Sequence, residues 1–374
     1  RRHLMELYKI ELYKLIHRKF FLISLSGIFA VLLLYFCFVN IGGERSTVNG
    51  VVYTGLQAIK KDREITEAFQ GILTDDKAEQ IMESYGFPSA VSENYGGFRD
   101  ENYLNGLITE YLGNGYFYSW DDYQVSSSLL PISQTELGKA AELAGKELLL
   151  DYTKGWSVFF DLLQLGMVLG SFLLIIGLSP VFAEEHQTGM SALLFTSKKG
   201  KSGDIAAKTA ASFTLTALVY AAVVLFAFSA TGLVYGLDGL ECMNGFVSSP
   251  YGVDAASRLA IKPVSYSVFL TLLLDWLALT TLCSIVLCIS GHTRTSFHAA
   301  LLSGMAWMLP LLLRILFSGI GYLLASGTPL FLIMTGILYD WYSFLFFPAG
   351  IAVCIFTVCI TNSWQAYKTS EIDR

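Results

Sequence analysis

The sequence predicts an all-α polytopic membrane protein with six transmembrane helices, an N-terminal interfacial helix and a mainly helical extracellular insert. Three observations carry this reading. Of the 374 residues, 53% are hydrophobic and 15% are charged, whereas soluble domains carry about 25% charge. The apolar residues gather into six runs, 20–41, 156–182, 210–233, 266–290, 297–323 and 343–360. Each is near the roughly 20 residues needed to cross about 30 Å of hydrocarbon. The cations between the runs sort by loop, as they do in a threaded membrane protein.

That sorting sets the expected topology. Arg1, Arg2, Lys9, Lys14, Arg18 and Lys19 precede the first run, and Lys198, Lys199, Lys201 and Lys208 lie between the second and third. Arg294 separates the fourth from the fifth, and Lys368 and Arg374 follow the sixth. The positive-inside rule places these segments, and both termini, in the cytoplasm of a cell whose plasma membrane the chain crosses. Residues 42–154 then lie outside, with 9 Lys/Arg against 18 Asp/Glu. The net charge of −6 sums over both compartments and gives no reason to expect nucleic acid as a partner. Run 20–41 is too long for the apolar core of a cleaved signal peptide and reads as a retained span. Five of the six cysteines fall within runs, so no disulfide framework is expected.

The elements follow in order. Residues 1–19 read as a cytoplasmic interfacial helix. Leu4, Leu7, Leu12, Leu15 and Ile16 mark its apolar side, and Glu6, Lys9, Lys14 and Arg18 its polar side. Tyr8 and Tyr13 suit the headgroup zone. Transmembrane helix one is 20–41. The insert 42–154 is long enough for a small domain, with helical patterns at 55–70, 74–85 and 100–112. Ser133-Gln134-Thr135-Glu136 has the capping-box form and predicts a further helix reaching 148–150. The aromatic stretches 95–98 and 116–120 read as domain core or bilayer contact, with a ligand platform as the alternative.

Residues 155–374 hold transmembrane helices two to six. Their longest members, the second and fifth, predict tilt or a kink. A second outer loop, 234–265, carries Pro250 and Pro263. Near 324–342 the apolar part, 330–338, is too short to span. It reads as a re-entrant element ending in Tyr339, Trp341 and Tyr342.

Several motif fragments carry no chemistry. Gly200-Lys201-Ser202 ends like a phosphate-binding loop, but Phe195 stands where its first glycine belongs. Glu185-His186 resembles half of a zinc motif, with Phe182 at the missing histidine. The apolar 270–274 before Asp275 reads as part of a span and not as a strand feeding a metal site. No catalytic residue, metal-ligand set or bound cofactor is expected, and the chain is not read as an enzyme on its own.

Asp161, Asp275 and Arg314 are the ionisable residues well inside runs. Each costs roughly 2.5–3.5 kcal/mol at a helix centre, so each should be paired or face water. Two readings stand: the polar wall of a substrate path, or a structural ion pair between helices. Pro310, one turn before Arg314, frees carbonyls that the arginine can bind.

The most informative stretch is FAEEHQTGMSALLFTSKKGKS, residues 182–202. Helix two runs on past the membrane to Glu184 and Glu185, Gly189 interrupts it, and Met190, Leu193, Leu194 and Phe195 form an apolar knot before the lysines. A short amphipathic helix there has nothing within the chain to bury against, which points to a partner protein. The stretch resembles the segment between the second and third spans of permeases of second-class ABC exporters. That pattern is roughly F-x-x-E, G-T, L-L and a short basic or Pro-containing turn. Phe182, Glu185, Gly189, Leu193-Leu194 and Lys198-Lys199 match it, while Met190 replaces the usual Thr and Ser197 a common Pro. The six spans, the interfacial helix and the re-entrant element also resemble that family, in the subset with a large insert between spans one and two.

The resemblance implies a permease subunit that moves a substrate with ATP hydrolysed elsewhere. It implies two separate ATP-binding subunits holding the ATP and Mg, and a second permease, identical or homologous. It makes Glu184, Glu185, Gly189, Leu193 and Leu194 the coupling helix, near 184–200, that touches the ATPase. The N-terminal helix around 11–19 is expected beside the same partner. An ion-coupled secondary transporter using Asp161 and Asp275, and a membrane sensor or scaffold with an extracellular ligand domain, are the competing readings.

Overall fold

The computed structural model describes residues 2–88, 100–113, 128–188, 200–246, 258–317, 319–334 and 342–369. The described chain is mostly helical, and six of its helices are long and apolar enough to cross a membrane. They are Lys19–Ile41, Lys154–Glu185, Ser202–Val234, Val264–His292, Ser296–Leu316 and Phe346–Ala366. The protein is therefore an all-α multi-pass membrane protein. The second and fourth spans are 67% and 56% buried over their most apolar windows, against 11–22% for the other four. Apolar residues exposed in water would be costly, so the other four present apolar faces suited to lipid.

Two compact units divide the chain: Arg1–Leu32, Leu163–Ala227 and Leu270–Arg374 form one, and Leu33–Leu162 with Phe228–Phe269 the other. The first unit opens with α1 (Arg2–Ile16) and α2 (Lys19–Tyr35). A break at His17 and Arg18 separates them, as expected for a helix that turns before its span. The second span comprises α7 (Lys154–Leu178) and α8 (Pro180–Thr188), and the third lies in α9 (Gly200–Val234). A Cβ at Gly166 of α7 would lie 2.5 Å from Val223 Cγ1 of α9. Glycine is required where these two backbones approach, the usual device for helices packing in lipid.

The fourth span is α10 (Val264–His292), the fifth α11 (Ser296–Leu316) and the sixth lies in α14 (Phe346–Thr369). The fifth is shorter than the expected 297–323. Gly319 takes a left-handed φ of 75°, and a separate helix α12 (Ile320–Ala325) follows. The apolar pattern runs through this break because both pieces are apolar. Helix α13 (Pro329–Ile333) comes next, with all five residues buried. It covers the start of the expected re-entrant element, while 335–341, including Tyr339 and Trp341, lie outside the described residues.

The second unit is built on the insert. Helices α3 (Leu56–Glu67), α4 (Asp75–Tyr85) and α5 (Tyr103–Leu112) fall on the expected segments. Thr74 caps α4, accepting from the Lys77 amide, and Asn102 forms a capping box with Asn105 on α5. The predicted box at Ser133 does not form. Ser133 sits in the single turn Ile132–Gln134, and Thr135 caps α6 (Glu136–Leu143) by accepting from the Gly138 amide. Nor does α6 reach 148–150. Gly145 turns the chain with φ 63°, and β4 (Leu149–Leu150) pairs antiparallel with β3 (Gly71–Ile72). The aromatic stretches 95–98 and 116–120 lie outside the described residues.

The insert opens with a β-hairpin. Strands β1 (Arg45–Val48) and β2 (Val51–Thr54) pair antiparallel with Val48 opposite Val51. Asn49 (φ 52°) and Gly50 (φ 74°) form the two-residue turn that an Asn-Gly pair favours. Asp100 binds both turn amides, at 2.6 Å to Asn49 N and 2.8 Å to Gly50 N. Buried Asp62 accepts from Ser46 Oγ at 2.6 Å and from the Tyr103 amide at 3.3 Å, joining β1, α3 and α5. Burial pushes the Asp62 carboxyl above the usual carboxylate range, and those two bonds oppose the rise.

The loop 234–265 belongs to this same unit. Asn244 donates from Nδ2 to the carbonyls of Lys262 (2.9 Å) and Pro263 (3.1 Å), closing the loop on itself. Because Asp100 supplies charged acceptors to two turn amides, Asp100→Ala should cost the turn about 1.5–3 kcal/mol. The expected result is faster hydrogen exchange at the Asn49 and Gly50 amides, with exchange inside α9 unchanged.

Candidate functional site

The site begins where α7 gives way to α8. Pro180 lacks an N–H and cannot continue the α7 ladder, yet it suits the first turn of a new helix. The first turn of any helix leaves backbone amides without partners inside it. Here Ser290 of α10, fully buried, supplies one. Its hydroxyl accepts from the Phe182 amide at 3.0 Å and the Ala183 amide at 3.1 Å, and donates to Ser179 O at 2.7 Å. One side chain of the fourth span thus holds both sides of the bend.

The two acids that follow have different partners. Glu184, about half exposed, forms an ion pair with Arg18 at the α1–α2 break. Glu185 turns inward to Lys208 of α9, whose side chain is 1% exposed. Lys208 also binds Asp204, one turn earlier, at 2.8 Å, and lies 5.8 Å from the centre of the Phe182 ring. Removing one member of a buried ionic group typically costs about 3–5 kcal/mol, because the others are left uncompensated. Nearby, the Tyr8 hydroxyl of α1 and Thr214 Oγ1 of α9 are hydrogen-bonded at 2.9 Å.

Helix α8 is therefore tied to three other spans: to the first through Arg18, the third through Lys208 and the fourth through Ser290. Of the expected contact residues, Glu184 and Glu185 lie on this helix, and Glu185 is committed inward. Gly189, Leu193 and Leu194 lie outside the described residues. Sequence reasoning missed Arg18, Asp204, Lys208 and Ser290 as members of the site. It counted Lys208 as a loop cation, although Asp204 and Lys208 show the i,i+4 spacing of a helical ion pair.

The three intramembrane charges do not share one environment. Asp161, in the second unit, accepts at Oδ2 from the Tyr35 hydroxyl (2.8 Å) and Asn40 Nδ2 (3.2 Å). Asn40 lies in the π-helical turn Phe36–Ile41 that ends the first span. Asp275 is buried in the first unit, and among the described residues neither carboxyl oxygen has a hydrogen-bond partner. Arg314 lies over the rings of Tyr322 and Phe331, at 5.0 and 5.6 Å from their centroids. The ion pair between Asp275 and Arg314 is thus absent among the described residues. The bend that begins at Gly319 brings two aromatic faces to the guanidinium, and cation–π attraction takes the place of the expected carboxylate or carbonyl.

No cluster of three or more metal-ligating side chains occurs among the described residues. The second unit holds a cavity of about 540 Å³ lined by Lys60, Arg63, Glu64 and Glu67 of α3 and by Asp151 and Asp238. No protein-family model and no curated protein matches the chain.

Proposed function

We propose that the chain is the membrane permease subunit of an ATP-binding-cassette exporter. It moves a substrate across the plasma membrane with energy from ATP hydrolysed on separate partner subunits. One observation carries the reading furthest: α8 extends the second span and is fastened to three others by Arg18, Lys208 and Ser290. A helix so fastened suits the transfer of a partner's motion into the bundle. The apolar knot Met190, Leu193, Leu194 and Phe195 follows directly and supplies the docking anchors.

In this reading both termini and the α8 end are cytoplasmic, and the insert 42–154 is extracellular. The exposed apolar faces of the outer spans meet lipid and a second permease, identical or homologous. ATP and Mg belong to two ATP-binding subunits. The ion-coupled alternative draws support from the unpartnered carboxyl of Asp275, but it assigns no role to the fastened α8.

Purification of the full-length chain from its native membrane under mild detergent tests the proposal. An ATP-binding polypeptide in one-to-one ratio with the chain is expected. Recovery of the chain alone, still competent for substrate movement driven by an ion gradient, would establish the alternative.

A further inference from the structure

Spans four and six approach closely near the C-terminal end of α10. A Cβ at Gly291 of α10 would lie 3.8 Å from both Ala366 Cβ and Ser363 O of α14. Ser363, itself buried, donates from Oγ to Leu287 O at 3.5 Å. The contacts rise together along the two chains, as they do for helices running in the same direction. One turn towards the N-terminus from this crossing stand Cys288 (Gly291 less three) and Cys359 (Ser363 less four). Spacings of three and four keep a residue on the same helix face, so both cysteines face the crossing. The two thiols interact with each other there, and both side chains are partly exposed. His292 lies within reach of the Cys288 thiol, with its Nδ1–H donating to Cys288 O at 2.8 Å.

We propose that Cys288 and Cys359 form an oxidisable dithiol, a redox modification site whose disulfide ties the fourth span to the sixth. All six cysteines are free in the structure, so this is its reduced form. A disulfide needs Cα atoms roughly 4.4–6.8 Å apart, and small residues such as Gly291 let two helices approach closely. The oxidant class is a hydroperoxide. Cys288, having given its proton to His292 or to water, attacks one peroxide oxygen as the thiolate. The O–O bond breaks, the departing hydroxide takes up a proton, and Cys288 becomes a sulfenic acid. The Cys359 sulfur then attacks the Cys288 sulfur. The S–S bond forms, the S–O bond breaks, and the leaving hydroxide takes the Cys359 proton. Two thiols are oxidised, and one peroxide is reduced to two waters.

The test treats the full-length chain in membranes with hydrogen peroxide, alkylates the remaining thiols and maps the peptides by mass spectrometry. A linked peptide joining Cys288 to Cys359 is expected, two hydrogens lighter than its parts and split by dithiothreitol. Cys288→Ser and Cys359→Ser should each abolish it, and Cys354→Ser should leave it unchanged. If a serine variant fails to accumulate, the wild-type peptide map decides alone. Full alkylation of both thiols after peroxide would overturn the proposal. So would a persistent sulfenic acid on Cys288 beside a reduced Cys359, or a disulfide joining two chains.

Discussion

Lys208→Met is expected to lower the amount of folded protein in the membrane severely. Methionine has nearly the volume of lysine and keeps the packing against Phe182, so the change removes charge and little else. Glu185 and Asp204 then lose the buried cation that they share. The expected cost is about 3–5 kcal/mol, a large part of the roughly 5–15 kcal/mol that holds most proteins folded. Combining Lys208→Met with Glu185→Gln and Asp204→Asn removes the two carboxylate charges as well. The triple variant should recover most of the lost protein, since neutral replacement of a buried ionic group is often nearly neutral in stability. Accumulation in membranes and thermal unfolding of detergent-solubilised protein measure both effects. Equal losses in the single and triple variants would mean that Lys208 acts through something other than these two carboxylates.

Leu194→Asp is expected to have the opposite character, leaving the fold intact and removing the partner. If residues 190–195 dock in a cleft of an ATPase, apolar anchors dominate the contact. An unpaired charge placed there should cost at least about 3 kcal/mol of association, more than a hundredfold in affinity. Normal membrane insertion, loss of the co-purifying ATPase and loss of transport are expected together. Lys201→Ala should be close to silent, because with Phe195 in place of the first glycine the lysine belongs to no phosphate-binding loop. A silent Leu194→Asp with nucleotide binding abolished by Lys201→Ala would reverse that assignment.

The six spans were legible because burial in lipid demands long apolar runs, and composition reports those directly. The same argument failed at Gly319. Two helices that are both apolar give one continuous run, and only a backbone angle marks the break. The insert helices were legible from amphipathic spacing. The β1–β2 hairpin carried an equally readable sign in Asn49-Gly50, but each strand has only four residues, too few for alternation to stand out. Gly145 shows why α6 stopped early: the helical pattern continues past it, and the left-handed turn together with the pairing of β4 to β3 overrides it.

At the candidate site, Glu184 and Glu185 were legible as the end of a helix leaving the membrane. Their internal partners were not, because Arg18 and Lys208 stand far away in sequence and meet them only through tertiary packing. Ser290 gave no signal at all, since a serine in a span is ordinary. Arg314 was singled out correctly as needing a partner, but its aromatic partners depend on the bend after Phe317 that brings Tyr322 and Phe331 within reach.

The central claim is that a separate ATPase docks on the segment that follows α8. Photo-crosslinking from a reactive residue placed at position 194 in intact native membranes tests it most directly. The account predicts a covalent adduct with an ATP-binding polypeptide. It predicts no such adduct from position 143, where Leu143 is 91% exposed on the insert. Adducts at position 194 with lipid alone, or an ATP-binding polypeptide captured from position 143 instead, would contradict it.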